Sequence, residues 1–519
     1  MRYFNIAGPC IPGTHYMIEA ATRLKGVEQL VDMNQYFVIH AARQSGKTTY
    51  LQDLAKRLNA GGKYYTLYCS LEGLQGVVDA EKGIPKIISI IKNSLFLRKL
   101  PHAAEFAKAD YNDFTDLLRW TLTQYCMLLD KPLVILFDEA DCLSEATLIS
   151  FLRQLRYDYN ERSTTPFVHS VALVGMRNIR DFKVRVRPDS ESLGSASPFN
   201  IIAEALTLKN FTKEKIAQLY RQHTDESGQQ FETGAIDLVW EQTQGQPWLV
   251  NAIAREVIVK ALDYDYAQPV TADMVAKAIQ TIILRRDTHI DSLLERLKEA
   301  RVRRVIEPMI IGEVVDTFTD DFYCTRDLGL IRVTPEKKIE PANPIYAEVI
   351  VRTLNAHMQE NILQSVVPAA QIPHYLKDGR IDMDYLMRDF QQFWRENSAI
   401  WIERFEYKEA APHLILMAFL QRVANGGGQI IREMAAGGGR LDICLVYEKC
   451  KYPIELKIWR GEKSLKKGLE QTARYMDVYG CTEGWLLLFD RRPDGKWDDK
   501  IYMRKETPDT GKTITVVGL

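Results

Sequence analysis

Gly46, Lys47 and Thr48 stand between a short apolar run, Phe37-Val-Ile-His40, and a helix-forming segment from Thr49 to Leu58. A glycine lets backbone approach an anion, a lysine reaches terminal phosphates, and a hydroxyl holds Mg²⁺; a triphosphate needs all three between a strand and a helix. The general pattern is G-x-x-x-x-G-K-[ST], and here Ala41 occupies the first glycine position. The expected cofactor-binding loop therefore comprises Ala42, Arg43, Gln44, Ser45, Gly46, Lys47, Thr48 and Thr49. A matching pair of acids ends the run Pro132-Leu-Val-Ile-Leu-Phe-Asp-Glu. Asp138 would hold Mg²⁺ together with Thr48, and Glu139 would orient or deprotonate the attacking water. Two successive carboxylates at the end of a buried strand are costly as plain structure. The expectation is ATP binding with Mg²⁺, and hydrolysis with Glu139 as a catalytic residue.

A second group of ionisable residues lies beyond residue 400. Arg440-Leu-Asp-Ile-Cys-Leu-Val-Tyr447, a charged turn, and Tyr452-Pro-Ile-Glu-Leu-Lys-Ile458 read as neighbouring strands. A symmetric turn over Glu448 to Lys451 pairs residues whose numbers sum to 899, so Asp442 faces Lys457 and Glu455 shares their side. Three ionisable groups on one face of apolar strands are expensive as architecture and sensible as a metal site. Asp442 and Glu455 would hold Mg²⁺, with Mn²⁺ as an alternative, and Lys457 would position or activate the hydrolytic water. Gln471 and Tyr475 share a helical face just downstream. His413, one turn after Glu409, is a further metal candidate, although a histidine beside Leu414-Ile-Leu-Met417 is equally a core residue. Glu433 is an additional acid, and Lys449, Lys451, Arg460, Lys463, Lys466, Lys467 and Arg474 suit a phosphate-tracking surface as well as a solvated face.

The elements that must position the first group are legible as an alternation. Lys63 to Ser70 reads as a second strand, a helical section runs from about Ile84 to Leu129, and Phe167 to Gly175 is a third apolar strand. Strands alternating with helices predict a parallel sheet covered on both faces, with ligands at the carboxyl ends. Gly46, Asp138 and Arg177 fall at those ends; Arg177 or Arg180 would sense the γ-phosphate, or simply pair with a neighbouring acid. The leading loop Ala7 to Tyr16 either covers the base or merely leads into the fold. Residues 199 to 260 read as a helical lid: Leu208 to Tyr220, Phe231 to Trp240 and Trp248 to Lys260, with turns at Gly228 and Gly245-Gln-Pro247.

At 519 residues the chain exceeds one hydrophobic core, and three or four domains are expected. A net charge of -1 excludes a global basic field, so any nucleic-acid contact must be a local patch. Eight cysteines form no C-x-x-C pair, which argues against a zinc or disulfide framework and for a reducing, cytoplasmic setting. No run approaches the roughly 20 apolar residues of a membrane span, so no membrane partner is expected.

Ala-Arg-Gln-Ser-Gly-Lys-Thr48, Ser197-Pro-Phe-Asn200 and Gly245-Gln-Pro-Trp-Leu-Val-Asn251 resemble AAA-like ATPases of the branch near archaeal-type and STAND ATPases, over roughly residues 1 to 355. In that branch an Ala-Arg-Gln loop replaces the first glycine. The resemblance implies that Pro247 approaches adenine and that Arg255, two turns into its helix, is a second phosphate sensor; a proline opening a helix also needs no ligand. It also implies a winged helix, matched by Asp321 to Val333 and Asn343 to Ile350; Arg301, Arg303, Arg304 and Arg326 would meet phosphates if that wing reads DNA. The Asp442, Glu455-x-Lys457 and Gln471-x-x-x-Tyr475 set resembles the PD-(D/E)xK nucleases and their RecB-like members. Together these resemblances imply an α/β chain: a P-loop NTPase parallel sheet with helical lid and winged helix, followed by a restriction-endonuclease-like α/β domain. The expected domains are 1-198 (ATPase core), 199-290 (lid), 291-355 (winged helix), 356-400 (linker and docking helix) and 401-519 (nuclease-like). The implied function is ATP regulating or powering metal-dependent cleavage of nucleic acid, DNA ahead of RNA, with a homo-oligomer as a further partner. The alternative is a nucleotide-switched nucleic-acid-binding or signalling scaffold.

Overall fold

The computed structural model describes residues 1–106, 113–176, 198–285, 288–310, 315–350, 375–404, 411–424, 428–432, 443–448, 450–490, 492, 497–508 and 511–519. It divides into two compact units, one of residues 1–289 with 326–329 and one of residues 290–325 with 330–519.

Five strands build the first unit: β1 (Tyr36–His40), β2 (Tyr65–Ser70), β3 (Leu133–Asp138), β4 (Ser170–Gly175) and β5 (Ile202–Thr207). They form one sheet in the order β2-β3-β4-β1-β5, parallel at every junction. β1, β3 and β4 are buried along their whole length, as near-continuous apolar runs covered on both faces should be. One face packs against α1 (Val27–Asp32) and α2 (Lys47–Ala60) through Leu30, Val31, Leu51, Leu54 and Leu58. The other packs against α3 (Ala80–Leu97), α4 (Leu117–Leu128) and α5 (Glu145–Glu161) through Ile84, Ile87, Ile91, Leu122, Phe151 and Leu155. This crossing order sets the carboxyl ends of β1 and β3 near one another, where the loops carrying Gly46 and Glu139 begin.

As expected, the section from about residue 84 to 129 is helical, holding two helices among the described residues, α3 and α4. One sequence expectation shifts here. The lid does not begin at residue 199: residues 202–207 are β5, paired with β1 at the edge of the sheet. Its side chains are half-buried or exposed, so it has no apolar run to betray it, and backbone pairing alone makes it a strand. The helices of the expected lid segment follow as α6 (Lys213–Ser227), α7 (Thr233–Thr243), α8 (Pro247–Arg255) and α9 (Ala272–Arg285). The Thr212 hydroxyl caps α6 by accepting from the Lys215 amide, and Gly228 ends it in the left-handed region at φ +79°. After Arg255, α8 continues into a π-helical turn, Glu256–Ala261.

The second unit contains α11 (Ala300–Ile310), which follows α10 (Thr288–Leu297); α12 (Asp320–Asp327) leads to a hairpin of β6 (Ile331–Val333) and β7 (Ile339–Pro341), and residues 344–350 are helical. Asp321 accepts from Arg301 Nε at 2.9 Å and Arg304 Nε at 2.6 Å, so two of the arginines expected to meet phosphates are tied within the unit.

A short hairpin of β8 (Leu376–Lys377) and β9 (Arg380–Ile381) precedes α13 (Met383–Arg404) and α14 (Ala411–Ala424). Six further strands follow: β10 (Gly428–Arg432), β11 (Ile443–Tyr447), β12 (Cys450–Ile458), β13 (Glu483–Phe489), β14 (Tyr502–Glu506) and β15 (Thr513–Gly518). Their order is β10-β11-β12-β13-β15-β14. β10, β11 and β12 form an antiparallel meander; α15 (Glu462–Tyr479) then crosses over so that β13 runs parallel to β12. Of the segment expected to be a linker and docking helix (356–400), the described residues 375–400 belong to this fold. Phe390 and Trp394 of α13 pack against Phe489, and Gln391 donates to the Gly518 carbonyl at 2.8 Å. Its amphipathic stripe is the inner face of a core helix.

The β11–β12 register also corrects an expectation. Tyr447 pairs with Cys450 and Ile443 with Ile454, so opposed residues sum to 897, not 899. The turn spans two residues and Glu448 takes φ +52°, whereas a four-residue turn was assumed. A shift of two leaves the choice of sheet face intact for the described residues of the pair, and Asp442 lies outside them.

Candidate functional site

The phosphate loop is built as its residue types require. Gly46 caps α2 with φ +87°, a left-handed conformation that disfavours any side chain, and Gln44 also has positive φ, at +55°. Ala41 continues β1 and is buried, its amide donating to the Gly175 carbonyl at 3.2 Å. The backbone thus forms the loop without a glycine at that position. Lys47 Nζ folds back to donate to the Ala41 and Ala42 carbonyls at 2.9 and 3.0 Å. Burial holds its ammonium below the usual lysine range, opposed by Glu139, Asp141 and Asp138. Ser45 Oγ and Gln44 Oε1 are buried with no hydrogen-bond partner among the described residues. Of the two, the Ser45 hydroxyl can donate to a phosphate oxygen, whereas Gln44 Oε1 only accepts.

Thr48 Oγ1 donates to Asp138 Oδ2 at 2.7 Å, joining the first turn of α2 to the end of β3. A hydroxyl and a buried carboxylate already in register fit a Mg²⁺ ion, which prefers a few fixed oxygens and keeps the rest of its water. Tyr68 OH donates to the same Oδ2 at 3.0 Å, a partner the sequence did not announce because it requires β2 to lie beside β3. Glu139 adopts φ +56°, rare for a non-glycine residue, and its amide donates to Asp138 Oδ1 at 3.0 Å. Burial, then Asp141, raises its carboxyl above the usual range, with Lys47 opposing. A carboxylate in a strained turn with raised basicity suits a general base. Asp141 is a second residue that sequence reasoning missed; a Cβ on Gly175 would run into its carboxylate.

The helices expected to form a lid meet this loop through Gln246, whose Nε2 lies 3.5 Å from the Gln44 carbonyl. Gln246 caps α8 by accepting from the Leu249 amide, and Pro247 is buried in the first turn. Gly245 is required for a local reason: at φ +72°, a Cβ there would strike the Phe211 carbonyl. Thr49 accepts from the Cys10 amide at 3.0 Å and Trp248 Nε1 donates to the Ile6 carbonyl at 2.9 Å, so the leading loop is pinned to α2 and α8. Arg43 is exposed and Arg255 is half-buried. Arg177 lies outside the described residues.

Beside the loop, His40 Nε2 shares a hydrogen bond with Thr207 Oγ1 at 3.0 Å and lies 3.8 Å from Asp327 Oδ1. His289 stacks on Trp248 with ring centroids 4.7 Å apart. Burial, and secondarily Arg43, pushes the His289 imidazole down to about 3. The unfolded chain therefore takes up this proton first as pH falls below about 6.5, and the stability held by neutral His289 is lost between there and about pH 3. At pH 5 the loss is on the order of 2 kcal/mol. Thermal melts at pH 7.5 and 5.0 should show a smaller acid shift for His289→Phe, which keeps the stack, than for wild type; equal shifts would contradict the assignment.

In the second unit Glu455 is fully buried in mid-β12, and Lys457 Nζ donates to its Oε1 at 2.6 Å. The parallel register sets Glu455 beside Leu486 and Lys457 beside Leu488, leucines packed under α15 with Ala473 and Met476. Both ionisable groups therefore share the sheet face covered by α15, the helix bearing Gln471 and Tyr475. Tyr475 packs on Cys444 of β11, and Gln471 Oε1 is buried with no partner among the described residues. His413, on α14, is buried with both ring nitrogens unpartnered among the described residues. Burial, then Lys457, pushes it down to about 3, leaving a neutral imidazole able to ligate. Asp442, Glu409 and Glu433 lie outside the described residues, and among those described no three His, Cys, Asp or Glu side chains cluster as a metal site.

Among solved structures, the chain is similar to a Walker-type ATPase of Pyrococcus abyssi at 13% identity, TM-score 0.46, covering 67% of this chain and 99% of that one. It is also similar to the RuvB Holliday junction branch migration motor of Thermotoga maritima (14%, TM-score 0.33, 61% and 87%). A third is Cdc6p of Pyrobaculum aerophilum (13%, TM-score 0.36, 64% and 96%). None of these likenesses carries an argument about substrate. No curated protein sequence matches. No helix among the described residues is long and apolar enough to cross a membrane. The AAA-like domain family model matches residues 13–348, well over half of the 519-residue chain. With the loop of Gly46, Lys47 and Thr48 facing Asp138 and Glu139, the chain belongs to the AAA-like domain family and is a P-loop ATPase.

Proposed function

We propose that this AAA-like ATPase uses ATP to regulate or power cleavage of nucleic acid by its C-terminal fold, with DNA the favoured substrate. The observation that carries the reading is the Glu455–Lys457 pair at 2.6 Å, a fully buried acid with a half-buried lysine on the sheet face covered by α15, the helix of Gln471 and Tyr475. A buried acid and a lysine at this spacing cost stability unless they do chemistry. Glu455 and His413 have the donor chemistry for a divalent metal, and Asp442 completes the acid pair in the sequence pattern. When bound, Mg²⁺ or Mn²⁺ supplies charge neutralisation at the phosphodiester. Lys457 then orients the attacking water, and Gln471 and Tyr475 hold the substrate backbone on the same face.

In the ATPase unit, Lys47 leaves the Ala41 and Ala42 carbonyls to meet the terminal phosphates. Thr48 and Asp138 are the groups that would hold Mg²⁺, whose positive charge screens the phosphate oxygens. Glu139 takes the proton of the attacking water. Pro247 and Arg255 face the base and phosphates from the lid, and Arg177 senses the γ-phosphate. We read the expected winged helix of residues 291–355 as a module that packs rather than reads DNA, because Asp321 already engages Arg301 and Arg304.

The second reading, a nucleotide-switched scaffold, is favoured by one observation: Lys457 occupies the Glu455 carboxylate. Incubation of linear DNA, circular DNA and RNA with the full chain and Mg²⁺ or Mn²⁺ separates the two. Cleavage of DNA is expected; intact substrates under every condition would overturn the nuclease reading in favour of the scaffold.

A further inference from the structure

Arg23 follows a short 3-10 turn, Ala20–Thr22, ahead of the phosphate loop, and is only 8% exposed. Its Nε and Nη2 both donate to the Lys209 carbonyl, at 3.2 and 2.7 Å, and its guanidinium lies 5.0 Å from the Phe211 ring centroid. The remaining nitrogen, Nη1, makes no hydrogen bond among the described residues and lies 2.9 Å from where a Cβ on Gly46 would stand. Gly46 is thus free of a side chain both for its φ of +87° and because a guanidinium edge fills that space.

No carboxylate among the described residues pairs with Arg23. Its own surroundings are otherwise cationic: Lys215, which donates to the Thr22 carbonyl at 2.8 Å, is held below the usual lysine range by burial and then by Arg23 and Lys25. Burial pushes Arg23 itself down to about 10, with Cys10 the only group opposing. A buried guanidinium is ordinarily paired with an anion, since an uncompensated buried charge costs several kcal/mol. Here the free N–H edge is aimed at the loop that receives a phosphate chain.

We infer that Arg23 is a phosphate-reading residue of the nucleotide site, whose missing counter-ion is the polyphosphate of the bound nucleotide. The inference rests on the ATP reading of the loop and extends it to a residue outside the phosphate-loop motif. Arg23 acts by direct charge-assisted hydrogen bonding from Nη1, while Nε and Nη2 remain on Lys209 and fix the fork in place. The ligand class is any nucleoside di- or triphosphate, because the contact is with the phosphate chain and not the base.

The test uses the full chain with Arg23→Met, which keeps volume and removes charge, and Arg23→Lys, which keeps charge. ATP turnover, its inhibition by inorganic tripolyphosphate, and melting temperature without nucleotide are measured for each. Arg23→Met is expected to raise KM for ATP and the inhibition constant for tripolyphosphate together, by about tenfold or more. The rise in KM should exceed the fall in kcat, the nucleotide-free melting temperature should not drop, and Arg23→Lys should recover part of the affinity. An unchanged KM would overturn the inference, as would a KM rise in both variants accompanied by a lower nucleotide-free melting temperature, the mark of a structural role. Failure of the wild-type protein to bind ATP would overturn the ATP reading as well, which neither of the other results would do.

Discussion

Glu139→Gln is expected to lower the ATP turnover of this protein by about 10²- to 10⁴-fold while leaving ATP binding intact. The amide is nearly isosteric, so the positive-φ turn after β3 is kept and only the ability to take a proton is removed. The direction of the stability effect follows from the raised carboxyl. A folded-state value above the unfolded one means that the ionised group costs folding near neutral pH. Replacing it with a neutral amide should therefore leave the nucleotide-free melting temperature equal or higher. Steady-state phosphate release and calorimetric ATP binding check the two halves of the expectation. Turnover within threefold of wild type would remove Glu139 from the base role.

The second large effect is at Lys457. Lys457→Ala is expected to abolish phosphodiester cleavage, by 10²-fold or more on the general scale of a lost water-activating group. It should also destabilise the C-terminal unit, because the fully buried Glu455 carboxylate loses its half-buried partner, at a cost of at most about 3–5 kcal/mol. Loss of cleavage by that variant alone is therefore ambiguous. The double variant Glu455→Gln with Lys457→Met removes both charges and should recover much of the lost stability while remaining inactive. Gel analysis of DNA products beside thermal melts separates chemistry from folding. Cleavage surviving in either variant would exclude this pair as the catalytic centre.

The features legible in the sequence are those encoded by short-range pattern. The phosphate loop, the acids after β3 and the strand β4 stand out because continuous apolar runs and a compact motif need no knowledge of the rest of the chain. β5 was hidden because an edge strand with half-exposed side chains carries no apolar signature. The β11–β12 register was off by two because it depended on turn length, and Glu448 in the left-handed region permits a two-residue turn. The amphipathic helix from Met383 was read as a separate docking element because its partners, Phe489 and Gly518, lie about 100 or more residues away in sequence. Tyr68 and Arg23 were missed for a related reason. Neither belongs to a motif, and each reaches the site only once β2 lies beside β3 and the leading segment packs beside the phosphate loop. Gly245 stood out only as a turn, and its conformation is required because a Cβ there would strike the Phe211 carbonyl.

The most direct test of an ATPase that governs a nuclease is the rate of DNA cleavage with Mg²⁺, with and without ATP, by wild type beside Glu139→Gln. The account predicts that ATP changes the wild-type cleavage rate and that Glu139→Gln stays at the ATP-bound rate, because it binds nucleotide without turning it over. Cleavage that is indifferent to ATP in both proteins would contradict the coupling, and no cleavage in either would contradict the nuclease itself.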